Sequence, residues 1–287
     1  SSRRFGLACD NLISAEVVLA DGEVVQANEK DNPDLFWALR GAGGGNFGIV
    51  TSLKYQLHPL PKEVLCGYIE WPISQAADVM KFYRDLFLDK NTPDELSFGM
   101  ILGRSPYPEG EAVIALYGLY AGPPKDGQEY INKIQAFGKP LGDNLGVHPY
   151  LGFMKTLGEE VPYGLQAKRK GGYFKNDGLS DEVIGLIVSH FQKCPSSYAL
   201  TRFDILGGGA IARIAKDATA FMHRESLFHI SITSLWEYAS EAEANTEWTK
   251  EHYQILRPYL NGHAYQNYAD DELTDWAHAY YGENYPR

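Results

Sequence analysis

The amino-acid sequence predicts an α+β protein in which helices cover one face of an antiparallel sheet. Apolar residues recur at helical spacing in separate blocks, as at Val79, Phe82 and Leu86. Between these blocks lie β-rich runs that come in groups, rather than one strand per helix, which favours antiparallel pairing. With 287 residues, 44% of them hydrophobic, the chain can bury a full core as one large domain or two small ones.

In chain order, Ala15–Leu19 and Glu23–Gln26 flank Asp21-Gly22, a pair favoured in tight primed turns, and read as a hairpin. Asn32-Pro33 reads as an N-cap followed by proline at the first helical position, opening a short aromatic helix. The apolar run Phe47–Leu57 reads as a strand, and His58-Pro59-Leu60-Pro61 as a linker. Beyond it, Ser74–Lys90 reads as a helix, Phe98–Leu102 and Ala112–Tyr120 as neighbouring strands, and Gln128–Phe137 as a helix stopped by Gly138. Ser180 caps a helix running to about Gln192. Ala199–Leu206, Ala210–Ile214 and Leu227–Leu235 read as strands. Ser240-x-x-Glu243 reads as a capping box before a helix to Leu256. The tail holds a polar-aromatic strand, His263–Asp270, and then an aromatic-rich helix, Asp275–Tyr285.

The bulk properties exclude several functions. A net charge of -11 argues against nucleic-acid binding, which needs a basic surface. Cys9, Cys66 and Cys194 are scattered, and give neither a disulfide framework nor a zinc site. The apolar runs are too short to span a bilayer. His190 and Cys194 lie four apart, but two ligands do not make a metal site. There is no nucleophile elbow. The ends, Ser1-Ser2-Arg3-Arg4 and Tyr285-Pro286-Arg287, carry no targeting segment and read as cuts in a longer chain, which leaves cytoplasmic and secreted locations both open.

Chemistry concentrates in three places. Gly43, Gly45 and Gly48 spell the dinucleotide fingerprint, but here a helix precedes the glycines and a strand follows, the reverse of what that fold requires. The glycine run then serves either as a backbone nest or as a close-packing surface. In the tail, Tyr265, Asn267, Tyr268 and Asp270 place two phenols, an amide and a carboxylate within six residues. They read either as a satisfied aromatic edge or as a phenolate base, which would need its pKa lowered from about 10. Asp204 sits in an otherwise apolar strand just before Gly207-Gly208-Gly209, either exposed on the polar face or retained for function.

Three motifs together resemble a known family. Phe5-Gly6-Leu7-Ala8-Cys9-Asp10-Asn11-Leu12, with Asp34–Arg40 and the glycine run to Val50, resembles the later half of the FAD-binding domain of berberine-bridge-enzyme-like oxidases, flavoproteins of the vanillyl-alcohol-oxidase type. Gly207–Gly209 with Ala220–Arg224 resembles the family's substrate-domain sheet. Tyr265-x-Asn267-Tyr268-x-Asp270 with Tyr280–Asn284 resembles its C-terminal segment. The resemblance implies that residues 1–61 finish an FAD-binding domain, 62–260 form a substrate domain with a helix-covered antiparallel sheet, and 261–287 return to the flavin. Similarity to the glucooligosaccharide-oxidase branch implies that Tyr268 takes the proton of a sugar or alcohol hydroxyl, with Asp204 and Tyr265 beside it, while hydride passes to the flavin. It implies flavin contacts from Asn267, Gly44, Gly45, Phe47, Gly48, Ile49, Asp10 and Asn11, and structural roles for His223 and Arg224. The family's pyrophosphate loop and covalent attachment residues have no counterpart here. That implies either a missing N-terminal flavin-binding half or a flavin-free binding module, with a homodimer as a further expectation. A tailoring oxidase of natural products is the alternative enzyme, and oxygen is the expected electron acceptor.

Overall fold

A computed structural model describes residues 1–104, 110–157, 164–176 and 178–287. The strands are β1 (Leu12–Val18), β2 (Val24–Ala27), β3 (Ile49–Tyr55), β4 (Glu63–Pro72), β5 (Leu96–Arg104), β6 (Ala112–Tyr120), β7 (Gly142–Asp143), β8 (Gly146–Pro149), β9 (Gln166–Tyr173), β10 (Leu200–Ile205) and β11 (Phe228–Trp236). The helices are α1 (Ser2–Phe5), α2 (Pro33–Leu39), α3 (Ala76–Leu88), α4 (Pro124–Gln135), α5 (Tyr150–Thr156), α6 (Asp181–Phe191), α7 (Gly209–Ala212), α8 (Ala242–Leu256) and α9 (Trp276–Tyr281).

A small antiparallel sheet runs β2-β1-β3, and an eight-stranded antiparallel sheet runs β7-β4-β6-β5-β10-β11-β9, with β8 also on β4. One face of the large sheet carries Ile69, Met100, Leu116, Phe203, Ile230 and Ile232, all fully buried. Helices α3, α4, α6 and α8 bury Val79, Tyr83, Ile131, Ile187 and Trp248 against this face in one continuous core. The α+β layer expected from the sequence is thus the observed one. The opposite face of the sheet is left for other elements.

Local chemistry explains the details. In the β1–β2 hairpin, Leu19 N donates to Glu23 O and Gly22 N to Leu19 O, with only Gly22 at positive φ (89°). That is a three-residue loop ending in a glycine bulge rather than a primed two-residue turn. Asn32 is the N-cap residue of α2 but sits in the left-handed region, and its amide donates to Gln26 O instead of accepting from the helix. Ser180 caps α6 as expected, its hydroxyl accepting from Val183 N. At α8 the capping carboxylate is Glu241, which accepts from Tyr238 N at 2.9 Å, so the turn begins two residues earlier than the Ser240–Glu243 pattern places it.

Two predicted strands are absent. Residues 210–214 fall on α7 and its end, because Gly208 and Gly209 take positive φ (72° and 52°) and turn the chain out of the sheet. Residues 263–270 form turns: Tyr268 N donates to Tyr265 O at 2.8 Å, which puts both phenols on one side rather than on opposite strand faces. Strands β4 and β9 lay outside the sequence reading. In β9 the run Lys168-Arg169-Lys170-Gly171-Gly172 has no β signal of its own, and its pairing with β11 supplies the order.

The small sheet leaves Ile13, Val24, Ile49 and Leu53 exposed. Its glycine-rich connection to α2 is shaped by close approach. A Cβ on Gly48 (φ 137°) would lie 2.5 Å from the carbonyl oxygen of Val18, and one on Gly41 would strike the backbone of Phe221.

Candidate active site

The open face of the large sheet is built by strand alternation. Register places Tyr68 opposite Tyr117, Tyr117 opposite Gly99, Asp204 opposite His229, and His229 opposite Tyr173. Phe203 pairs with Met100, so Asp204 falls beside Gly99. These residues form one transverse row on the face away from the helices; Arg202 stands in the next row on that face and Arg169 in the one beyond. Gly99 matters to this geometry, because a Cβ there would sit 2.5 Å from the Tyr117 hydroxyl oxygen. Tyr117 therefore lies across β5 towards Asp204. Gly99→Ala is expected to displace Tyr117 and destabilise the protein by about 1–3 kcal/mol, read from the urea midpoint. A neutral result would mean that Tyr117 has room to move.

The tail covers this row. Tyr265 and Tyr268 are edge-to-face at 5.2 Å between ring centroids, and His229 lies 5.6 Å from Tyr268 and 6.2 Å from Tyr265. The Arg169 guanidinium sits 4.6 Å from the centre of the Tyr268 ring, and its Nε donates to Thr233 Oγ1. Arg202 Nε donates to Asp204 Oδ1 at 3.1 Å, with its guanidinium over the Tyr117 ring. Asn267 donates to the Tyr265 hydroxyl at 2.8 Å.

Burial pushes the Tyr268 phenol above its ordinary value, and the Asp204 carboxylate pushes the same way, while Arg202 and Arg169 oppose them. Burial also raises Tyr117 and Tyr173, with the charge of Asp204 adding to each. Burial drives His229 down to about 3, so it is a neutral imidazole here. His223 and His252 are likewise held at about 3 by burial, each with a smaller push from a neighbouring histidine. Their ordinary value is 6.5, so between pH 6.5 and 3 the unfolded chain binds more protons than the folded one. Stability from these histidines is complete above pH 6.5 and is lost as the pH falls towards 3. Each is expected to cost about 1–2 kcal/mol between pH 7 and 5. A urea midpoint unchanged over that interval would contradict this.

Beside the row lies a cleft of about 400 Å³ lined by Leu7, Cys9, Gly44, Gly45, Phe47, Gly48, Phe221, Tyr265 and Asn267, among others. A Cβ on Gly44 or Gly45 would meet nothing within 4 Å, so these glycines present bare backbone to open space, whereas Gly41 and Gly48 are glycines because chain segments pack on them. Packing and cradle thus divide the run between them. The lining is mostly apolar with a phenol and an amide at one end, which fits a flat heteroaromatic ring system such as an isoalloxazine. Burial raises the Cys9 thiol at this cleft to about 12, which keeps it protonated.

The sequence-derived residues fall into two sets. Tyr268, Asp204 and Tyr265 converge on the open sheet face, and Asn267, Gly44, Gly45, Phe47 and Gly48 line the adjoining cleft. Ile49 lies on β3, 70% exposed, outside that lining. The Asp10 carboxylate is bound to Arg224 at 2.6 Å, both side chains being 2% exposed. The Asn11 amide donates to Phe5 O and Leu7 O, and its oxygen faces His58 Nε2. Asp10 and Asn11 therefore shape the wall of the cleft through Leu7–Cys9. Tyr117, Arg202, His229, Tyr173 and Arg169 were not singled out from the sequence. Extending the alternation from Asp204 would have found Arg202, but the other four needed the sheet register. No cluster of three or more metal-ligating side chains occurs among the described residues, and no helix there is long and apolar enough to cross a membrane.

Comparison with known proteins agrees with this architecture. Residues 264–287 match the family model described as "Berberine and berberine like". An FAD-linked oxidoreductase of Dictyostelium discoideum is 30% identical over 269 residues, covering 94% of this chain and 57% of that protein. A xylooligosaccharide oxidase of Thermothelomyces thermophilus is 40% identical over 125 residues, covering 42% of this chain and 24% of that protein. The solved structure of a BBE-like 1 protein from Physcomitrella patens superposes with a TM-score of 0.85 at 28% identity, covering 98% of this chain and 62% of that one. The fold is that of the matched part of these FAD-linked oxidoreductases. In sequence and fold the chain is similar to the berberine-bridge-enzyme-like proteins, and it spans under two thirds of the length of these relatives.

Proposed function

We propose that this chain supplies the substrate side, and one wall of the flavin site, of an FAD-dependent oxidase acting on an alcohol or sugar hydroxyl. The observation that carries the reading is the convergence of Tyr268, Tyr265 and Asp204 on one sheet face beside the glycine-lined cleft. When bound, FAD supplies the hydride acceptor, with oxygen as its expected oxidant. Gly44, Gly45, Phe47, Gly48 and Asn267 would hold its ring system. Under this reading residues 1–61 complete a flavin-binding domain, 62–260 are the substrate domain, and 261–287 bring the base to the site.

The residues of the chain handle the proton. Tyr268 is a neutral phenol at pH 7, so it cannot take a proton without giving one up. Asp204 acts on it as a nearby negative charge. Tyr268 Oη accepts the substrate hydroxyl proton as its own passes towards Asp204. Arg202 and Arg169 stabilise negative charge that develops on Tyr268 during the transfer. The xylooligosaccharide oxidase similarity favours a sugar over a polycyclic substrate.

The test is the visible spectrum of the purified full-length protein, followed by anaerobic addition of xylo- and cello-oligosaccharides. Flavin absorbance that bleaches with sugar supports the reading. A yellow protein that no sugar or alcohol bleaches would discard the substrate class, and a colourless one would leave a flavin-free binding module.

A further inference from the structure

The ring of Tyr268 is surrounded by aromatic and cation contacts, from Arg169, His229 and Tyr265. Such contacts are weakly directional. The firm anchors of the tail lie elsewhere. β9 is the outermost strand of the large sheet, and residues 261–272 cross its free edge. Asn261 N donates to Tyr173 O, and Tyr173 N to His263 O, where the crossing starts. Strand alternation on β9 then grips the tail from both sides. Arg169 faces Tyr268 on the open face, whereas Lys168 and Lys170 point to the helix side.

On that side three lysines meet three consecutive acids. Lys170 Nζ lies 2.9 and 2.8 Å from the two carboxylate oxygens of Asp270 and 2.9 Å from Glu272. Lys250 of α8 holds the other oxygen of Glu272 at 2.7 Å, and Lys168 holds Asp271 at 2.8 Å. Asp270 N donates to the Tyr280 hydroxyl oxygen at 2.9 Å. The pair at the centre is the desolvated one: the Lys170 and Asp270 side chains are 7% and 9% exposed. Buried, bidentate contacts of this kind fix geometry more firmly than exposed ones.

We propose that Lys170 is a positioning residue, setting where Tyr268 stands over Asp204 by fixing Asp270 across the sheet edge. Two residues span at most about 7 Å of chain, so a fixed Asp270 leaves Tyr268 little travel. On the other flank, Gln266 donates to Gly41 O, so the phenol is strung between two anchors. The inference rests on Tyr268 being the base, and its test separates the two ideas.

In the flavin-loaded full-length protein, Lys170→Met is expected to lower kcat about tenfold or more with KM changed less than about twofold, since loss of placement costs the chemical step rather than binding. Lys170→Arg restores most of the rate. A readout independent of activity is the ultraviolet titration of tyrosines, with Tyr268→Phe as the reference. Tyr268, held above its ordinary value by burial, should ionise at lower pH in Lys170→Met as the tail loosens, and the amides of residues 264–272 should exchange faster. Should Lys170→Met not fold, Asp270→Asn decides, because it weakens the same buried contact from the tail side and keeps the size of the side chain. An unchanged Tyr268 titration and unchanged exchange in the folded variant overturn the positioning role. A shifted titration in a protein that no alcohol reduces would keep the anchor and remove the base assignment.

Discussion

Tyr268→Phe and Asp204→Asn are each expected to slow flavin reduction in the loaded full-length protein by on the order of 100-fold or more. The phenylalanine keeps the ring contacts with Arg169, His229 and Tyr265 and removes only the oxygen that would receive the proton. The asparagine keeps the size of Asp204 and its contact with Arg202 and removes the charge that draws the proton onward. Under the proposed mechanism the two act on one transfer, so the double variant should be little slower than the worse single one. Multiplied losses would mean that the residues serve separate steps, and a normal rate in both singles would remove the base assignment. KM should move less than kcat, because neither change alters the cleft. Rapid-mixing absorbance of the flavin under anaerobic conditions reads the step directly.

The second large effect is structural. Arg224 donates to both oxygens of Asp10, at 3.1 and 2.6 Å, and to Thr219 Oγ1 at 2.7 Å, while Asp10 also accepts from Leu7 N. The pair joins the segment before β1 to the loop before β11, 214 residues apart in sequence. Arg224→Met leaves a buried carboxylate without its cation and is expected to cost about 3–5 kcal/mol. Removing both charges, as in Arg224→Met with Asp10→Leu, should recover a good part of this, because a buried pair is often no more stable than a well-packed apolar one. Urea unfolding of the three proteins tests both statements. An Arg224→Met protein within about 1 kcal/mol of the parent would show that water reaches Asp10.

Much of this was legible in the sequence, and the exceptions have physical causes. The helices α3, α4, α6 and α8 declare themselves by apolar spacing, because each buries one stripe on one sheet. The reversed order of helix and strand around the glycine run excluded a dinucleotide fold, and the observed α2 and β3 agree. By contrast β9 was invisible. Its Lys168-Arg169-Lys170 run looks like a solvated loop, yet each cation has an anionic or aromatic partner brought from about 100 residues away. Asp204 could be picked out as a carboxylate in an apolar strand. His229 could not, because its neighbours Phe228 and Ile230 mark the strand as buried, and only register sets it beside Asp204. Asp10 and Asn11 were legible as special but not in kind. A buried ion pair and a ligand contact use the same residue types, and the partner, Arg224, is too distant for sequence spacing to reveal.

The tail crossing at β9 has a consequence for solubility as well as for the site. The outermost strand of a large antiparallel sheet offers free N–H and C=O groups to any other chain that can pair with it. Here the tail takes the Tyr173 end of that edge through Asn261 and His263, and the lysine-bearing stretch further along is the kind that resists pairing with a second strand. A chain whose tail came away would therefore lose the proposed proton acceptor and expose a template for edge-to-edge aggregation in the same event, so the proposed chemistry and colloidal stability depend on one short peptide.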